Sequence, residues 1–227
     1  MNLKRYEKNF NTISKAEQKL LADKKIAIIG CGGLGQYIAS LLCRIGVGFL
    51  TIIDDDSFDE TNLNRQLYCH TENIGKSKVQ ETKKQLNKIN PLVTINAIPD
   101  KLTQQNGHKY IKEHDLAIDA LDSAKDRIVL QDICEETNTV LISAAIGGWY
   151  GQLTIIKPGD KTLSKIYPDS EQKGIELELG NPAFTPALLA SLQASEAVKY
   201  LLSKNTLSSS QILYIDLLNL DFEIVEF

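Results

Sequence analysis

Thiols are scarce in this chain: four cysteines in 227 residues, Cys31, Cys43, Cys69 and Cys134, and none in the last 93 residues. The density of a disulfide framework and the paired Cys-x-x-Cys spacing of a zinc knuckle are both missing, which disfavours a structural zinc and an oxidising compartment. The three histidines, His70, His108 and His114, lack metal-ligand spacing and read as surface or loop residues. Runs of five like charges are also lacking, and 25 Lys plus Arg against 29 Asp plus Glu leave a net charge of -4. That balance gives no electrostatic footprint for nucleic acid or an anionic membrane. No apolar stretch reaches the roughly 20 residues of a spanning helix, and MNLKRYEKNF holds no signal-peptide core. Together these absences predict a cytoplasmic protein with neither a nucleic-acid nor a membrane partner.

What is present is a regular alternation. Apolar runs at 25–29, 49–53, 93–98, 116–120 and 140–144 are separated by helical patterns at 34–45, 75–90, 104–113 and 123–137. This predicts an α/β fold with a Rossmann-like, doubly wound, mostly parallel sheet. A short helix capped by Ser14 and Glu17 precedes it. After Ala145 a strand is entered through glycines, and a polar stretch of little periodicity follows, read as a crossover loop over about 157–182. A strong helix over 185–202 and two antiparallel strands around a tight turn close the chain. The expected organisation is one domain, residues 1–227, divided into an N-terminal arm 1–23, a nucleotide-binding core 24–145, the crossover loop, and a C-terminal helix and strands 183–227.

The first strand runs into Gly30-Cys31-Gly32-Gly33-Leu34-Gly35, a G-x-G-x-x-G at a strand-to-helix junction, where glycines admit a tight turn and the helix start offers N–H groups to phosphate. Asp54 ends the second strand 19 residues after Gly35, placed to accept from ribose hydroxyls. The next segment, Asp54 through Gln66, carries Asn62 and Arg65. An arginine there suits a triphosphate better than a nicotinamide cofactor, because its fork takes phosphate oxygens in pairs. Lys76 and Lys78 begin the following helix, an unfavourable place for cations unless an anion is near. Asp122, in Asp119-Ala120-Leu121-Asp122, lies at the carboxyl end of the fourth strand, where it could hold Mg2+ or cap the next helix.

Taken together, GCGGLGQ, the DDD...TNLNRQ stretch, IGKSKV, Asn90-Pro91, DALDSAKDR and SLQASEAVKYLL resemble the ThiF/MoeB/HesA family, bacterial relatives of ubiquitin-activating enzymes, over nearly the whole chain. The resemblance implies an adenylyltransferase that uses ATP and Mg2+ to activate the C-terminal glycine of a small ubiquitin-like sulfur carrier ending in Gly-Gly. It puts Gly33, Asn62, Arg65 and Lys78 on the phosphates, Asp54 on the ribose and Asp122 on Mg2+, with Arg65, Lys78 and Asp122 catalytic. Gly30, Gly32, Gly35, Asp56, Gln66 and Leu121 would complete the nucleotide site. It also implies a homodimer in which an N-terminal arginine reaches the partner's ATP. Here Lys8 stands in that arginine's place, so either Lys8 or Arg5 would take its part.

Two family features are absent: the zinc-binding cysteine pairs and the loop cysteine, whose position falls in Gly174–Gly180. Adenylation alone, with a separate sulfur donor, is therefore expected. Rival readings are adenylation of a peptide or tRNA carboxylate, a nicotinamide-dependent oxidoreductase resting on the glycines, and a non-catalytic nucleotide-binding protein.

Overall fold

In the computed structural model, which describes residues 3–168 and 176–226, an N-terminal 3-10 turn and α1 (Lys15–Ala22) lead into β1 (Lys25–Ile29). Ser14 accepts from the Glu17 N–H and the Glu17 carboxylate accepts back from the Ser14 N–H, the expected reciprocal cap. The chain continues through α2 (Gly35–Ile45), β2 (Phe49–Ile53), α3 (Lys78–Ile89), β3 (Thr94–Ile98), α4 (Gln104–Ile111), β4 (Leu116–Asp119) and α5 (Ala124–Glu136). Then come β5 (Leu141–Gly147), β6 (Tyr150–Ile156), α6 (Thr162–Ile166), α7 (Glu176–Leu179), α8 (Phe184–Leu201), β7 (Gln211–Asp216) and β8 (Asp221–Glu226).

One eight-stranded sheet runs β3-β2-β1-β4-β5-β6-β7-β8. The pairs from β3 to β5 are parallel, while β5–β6, β6–β7 and β7–β8 are antiparallel. The inner parallel strands β1, β2 and β4 are almost wholly buried because both their faces are covered, whereas the edge strand β3 exposes Thr94 and Asn96. Along β1, Ile26 and Ile28 pack with α2, α3 and α8, including Ile38, Leu86 and Leu189. The alternate residues Ala27 and Ile29 pack on the other face with Ile111, Leu130 and Ile133. The strand order reverses between β1 and β4, and a crevice opens there at the carboxyl ends of the strands, where ligands of such sheets bind.

Two expectations move. The α3 helix begins at Lys78, three residues later than its apolar pattern suggests, because Gly75 to Ser77 pair with the chain after β2: the Gly75 N–H donates to the Phe58 carbonyl at 2.8 Å and Ser57 bridges to Ser77. The crossover segment contains two short helices, α6 and α7, with part of it (169–175, including Gly174 and Ile175) outside the described residues. Among the described residues no helix is long and apolar enough to cross a membrane.

Candidate nucleotide-binding site

The crevice is a cavity of about 620 Å3. It brings together eleven of the fourteen residues expected at a nucleotide site: Gly30, Gly32, Gly33, Asp54, Asp56, Asn62, Arg65, Gln66, Lys78, Leu121 and Asp122. Gly35, Arg5 and Lys8 do not line it.

The glycine turn divides into two kinds of position. Gly30 has φ +99° and a Cβ there would lie 2.4 Å from the Ala120 carbonyl oxygen; at Gly35 it would lie 2.0 Å from the Gly30 carbonyl oxygen. These two glycines serve chain packing, and Gly35 shapes the turn from outside the cavity lining. A Cβ at Gly33 would make only ordinary contacts of 3.5 Å, with Arg65 and Pro186, and at Gly32 only Gln66 Nε2 would be near, at 3.8 Å. Among the described residues nothing in the fold requires glycine at 32 or 33. What their bare backbone provides is close approach from the cavity. The first turn of α2 has no side-chain cap, although its Gln36 N–H is taken by the Gly32 carbonyl at 3.3 Å. Gln36, buried in that turn, donates to the Cys31 carbonyl at 2.8 Å and to Gln66 Oε1 at 3.3 Å, and accepts from the Tyr68 N–H at 2.8 Å. It ties the glycine turn to the segment that carries Arg65, a role for which its sequence position gave no signal.

Asp54 is fixed by two backbone donors, Cys31 N–H at 2.6 Å and Asp56 N–H at 2.8 Å. Burial pushes its carboxyl up, opposed by those same N–H groups. Asp54, Asp55 and Asp56 bring carboxylate oxygens within 4.8 Å of one another. Two of the three are engaged, because Lys78 Nζ pairs with Asp56 Oδ2 at 2.7 Å. The Lys78 side chain is 8% exposed and that of Asp56 66% exposed, so the cation is sunk in the wall behind its anion and is no solvated surface lysine. Lys76, by contrast, is exposed. Arg65 is steadied by its own turn, donating to the Thr61 carbonyl at 3.0 Å and to Asn64 Oδ1 at 2.8 Å. Asn62 is buried and its amide oxygen accepts from the Asp59 N–H at 3.1 Å.

Across the cavity, the helix after β4 is capped by Ser123, whose hydroxyl accepts from the Asp126 N–H at 3.3 Å. Asp122 is therefore not the cap and stands exposed at the cleft. Behind it lies a buried pair that sequence reasoning missed. Asp119 is fully buried and lies 3.4 Å from Arg127. It accepts from Ser143 Oγ at 2.6 Å and from the Leu121 N–H at 2.9 Å. Arg127 donates to the Ala144 carbonyl at 2.7 Å and, by a short bond, to the Leu121 carbonyl. Burial pushes the Asp119 carboxyl up and Arg127 pulls it back down. The only hint in the sequence was a charged residue ending an apolar strand. Asn181 also lines the cleft; its carbonyl accepts from Asn64 at 3.0 Å and its amide oxygen is buried without a partner.

The donor set suits Mg2+, a hard cation that uses one or two carboxylates and leaves the rest of its shell to water and phosphate. Asp122 has the exposure and the place for that.

The N-terminal arm is docked and does not behave as a free tail. Tyr6 is buried against Gly46, where a Cβ would lie 2.6 Å from its ring, and its hydroxyl accepts from Asn90 Nδ2 at 2.9 Å. Arg5 donates to Asn90 Oδ1 by a short bond and to the Ile89 carbonyl at 3.5 Å, at the carboxyl end of α3. Its guanidinium is thus committed away from this cleft, while Lys8 is exposed. All four thiols are pushed up by burial, Cys31 to about 12 and Cys43 to about 11, and Cys69 shares that direction. His114 is half-buried and no surface residue: its ring lies 2.8 Å from Thr51 Oγ1 and 3.3 Å from the Ile111 carbonyl.

Fold and cleft define a doubly wound α/β domain with a polar cavity at its switch point. The chain belongs to the ThiF family, whose model it matches over residues 6–227. It is 26% identical over 230 residues to the SAMP-activating enzyme E1 of Haloferax volcanii, covering 99% of this chain and 85% of that one. With the sulfur carrier protein ThiS adenylyltransferase of Escherichia coli it shares 32% identity over 188 residues, 82% of this chain and 74% of that one. It spans only about half, 53% and 55%, of two longer relatives named probable molybdopterin-synthase adenylyltransferase, from Pyropia yezoensis and Porphyra purpurea. Among solved structures, Escherichia coli MccB with succinimide superposes with a TM-score of 0.84 at 22% identity, over 100% of this chain and 71% of that one, a likeness of fold.

Proposed function

We propose that the protein is an ATP-dependent adenylyltransferase that activates the C-terminal glycine carboxylate of a small ubiquitin-like sulfur carrier, for thiamine or molybdopterin-type cofactor synthesis. The observation that carries this reading is the side-chain-free backbone at Gly32 and Gly33, which the fold itself does not need, set beside Arg65 and opposite Asp122 in one cleft. Adenylation names from relatives of about 30% identity agree with it.

The carrier carboxylate is already ionised near neutral pH and needs no general base. One of its oxygens attacks the α-phosphorus of ATP; an O–P bond forms, the bond from the α-phosphorus to the bridging oxygen breaks, and pyrophosphate leaves with that electron pair. No proton moves. Arg65 offers its fork to phosphate oxygens, Lys78 supplies positive potential from the wall, and Asp54 holds the ribose. Mg2+ held by Asp122 would neutralise charge on the phosphate oxygens. Lys8 is the arm residue we assign to the partner copy's site in a homodimer, since Arg5 is occupied at α3.

The exposed strip of Phe222 and Ile224 on β8, with Leu218 and Leu220 in the hairpin, is the surface we assign to the carrier's globular part. We assign the sulfur to a separate donor, a reading that the burial-raised state of all four thiols supports. Mass spectrometry of a Gly-Gly-ending carrier incubated with enzyme, Mg2+ and ATP tests the reading: an AMP adduct on the carrier's C-terminus supports it. An adduct formed only on a free peptide or on tRNA would move the assignment to those carboxylates. Thermal stabilisation by NAD and not by Mg-ATP would overturn both.

A further inference from the structure

Leu121, the residue before Asp122, has both its backbone polar groups held by opposite ends of one buried ion pair. Its N–H donates to Asp119 Oδ1 at 2.9 Å and its carbonyl accepts from Arg127. The pair is anchored in turn to β5 through Ser143 and the Ala144 carbonyl, and α8 reaches it through Gln193, which donates to the Asp119 carbonyl at 2.8 Å. The same segment forms the surface on which the glycine turn packs, since Gly30 lies directly against the Ala120 carbonyl. One pair thus fixes the chain between β4 and α5 from inside, with Asp122 at its exposed tip and Gly30 against its flank.

Stability does not explain such a pair. Desolvating two charges is expensive, and apolar residues of similar volume commonly serve a core as well or better. What apolar side chains cannot do is hold a carbonyl and an N–H of an irregular segment in one orientation. We propose that Asp119 and Arg127 form a positioning device that sets the Asp122 carboxylate against the glycine turn so that Mg-ATP is bound in one geometry. The proposal rests on the adenylation reading for the role of Asp122; the clamp on Leu121 is read independently of it. Both residues act through Asp122.

The test compares the parent with the double variant Asp119→Leu/Arg127→Met, with Arg127→Lys and with Asp122→Asn. Calorimetry measures ATP affinity with and without Mg2+, hydrogen exchange follows the Leu121 and Asp122 amides, and melting temperature reports folding. The double variant is expected to melt near the parent, to bind metal-free ATP as the parent does, and to lose the Mg2+-dependent gain by about 10- to 100-fold, the usual effect of removing a group that orients a metal ligand. Its Leu121 and Asp122 amides should exchange faster while the sheet stays protected. A parent-like Mg2+ gain in a folded double variant overturns the proposal. Should the double variant not fold, Arg127→Lys decides: it keeps a charge beside Asp119 but not the planar fork, and a parent-like gain and parent-like exchange there overturn the proposal too. If the parent itself gains nothing from Mg2+, the adenylation reading falls, and the exchange data alone still sustain or refute the clamp.

Discussion

The wall of the cleft after β1 and the wall after β4 face each other, yet the first is shaped by missing side chains and the second by buried charge. At the glycine turn, Gly30 and Gly35 let backbone pack on backbone, and Gly32 and Gly33 leave bare chain facing the cavity. Behind Asp122, Asp119 and Arg127 fill the interior and grip the chain by hydrogen bonds. The difference teaches that close approach and carboxylate placement need opposite means: the first requires taking atoms away, the second requires a rigid polar support.

The contrast is broken most severely by removing the groups the walls present. Arg65→Ala and Asp122→Ala should each lower pyrophosphate exchange by about 10²- to 10³-fold, as expected for loss of one preorganised charge contact. Their melting temperatures should stay near the parent's, because Asp122 is exposed and, among the described residues, the Arg65 guanidinium bonds within its own turn. Exchange retained in either variant would remove that residue from the site.

Within the glycine wall, two alanines should separate folding from binding. Gly35→Ala places a Cβ 2.0 Å from a backbone oxygen. It should destabilise by about 1–3 kcal/mol, the range of overpacked cores, measured by chemical denaturation. Gly33→Ala should denature like the parent but raise the Kd for Mg-ATP, each tenfold corresponding to about 1.4 kcal/mol of lost contact. Equal effects of the two would dissolve the distinction.

A smaller effect is expected outside the cleft. Ile224→Glu should raise the carrier KM in steady-state kinetics and leave Mg-ATP affinity alone. The smallest concerns His114, whose pKa burial holds below its ordinary value of 6.5. Between that lowered value and 6.5 the unfolded chain binds the proton and the folded chain does not, so stability rises with pH across the interval and falls on acidification below about 6.5. Melting temperatures across that range should show the slope in the parent and a flatter one in His114→Gln.

Much of the first wall was legible in the sequence. Apolar runs such as KIAII mark strands buried on both faces, and the glycines and Asp54 sit at junctions that the strand–helix alternation fixes. The second wall was not legible beyond Asp122. Arg127 reads as one more charge on a helix, and Asp119 as the polar end of a strand, because neither periodicity nor spacing reveals that a turn folds over them. The start of α3 departs from its local pattern for a similar reason: a tertiary bridge between Ser57 and Ser77 overrides the helical periodicity. Tyr6 and Arg5 likewise take their places from Gly46 and Asn90, which are distant in sequence.

Pyrophosphate exchange tests the central claim most directly. With ATP, Mg2+, labelled pyrophosphate and a carrier ending in Gly-Gly, the protein should return label to ATP in a carrier-dependent manner that Arg65→Ala abolishes. Absence of carrier-stimulated exchange with every Gly-Gly-ending carrier from the same genome would contradict the account.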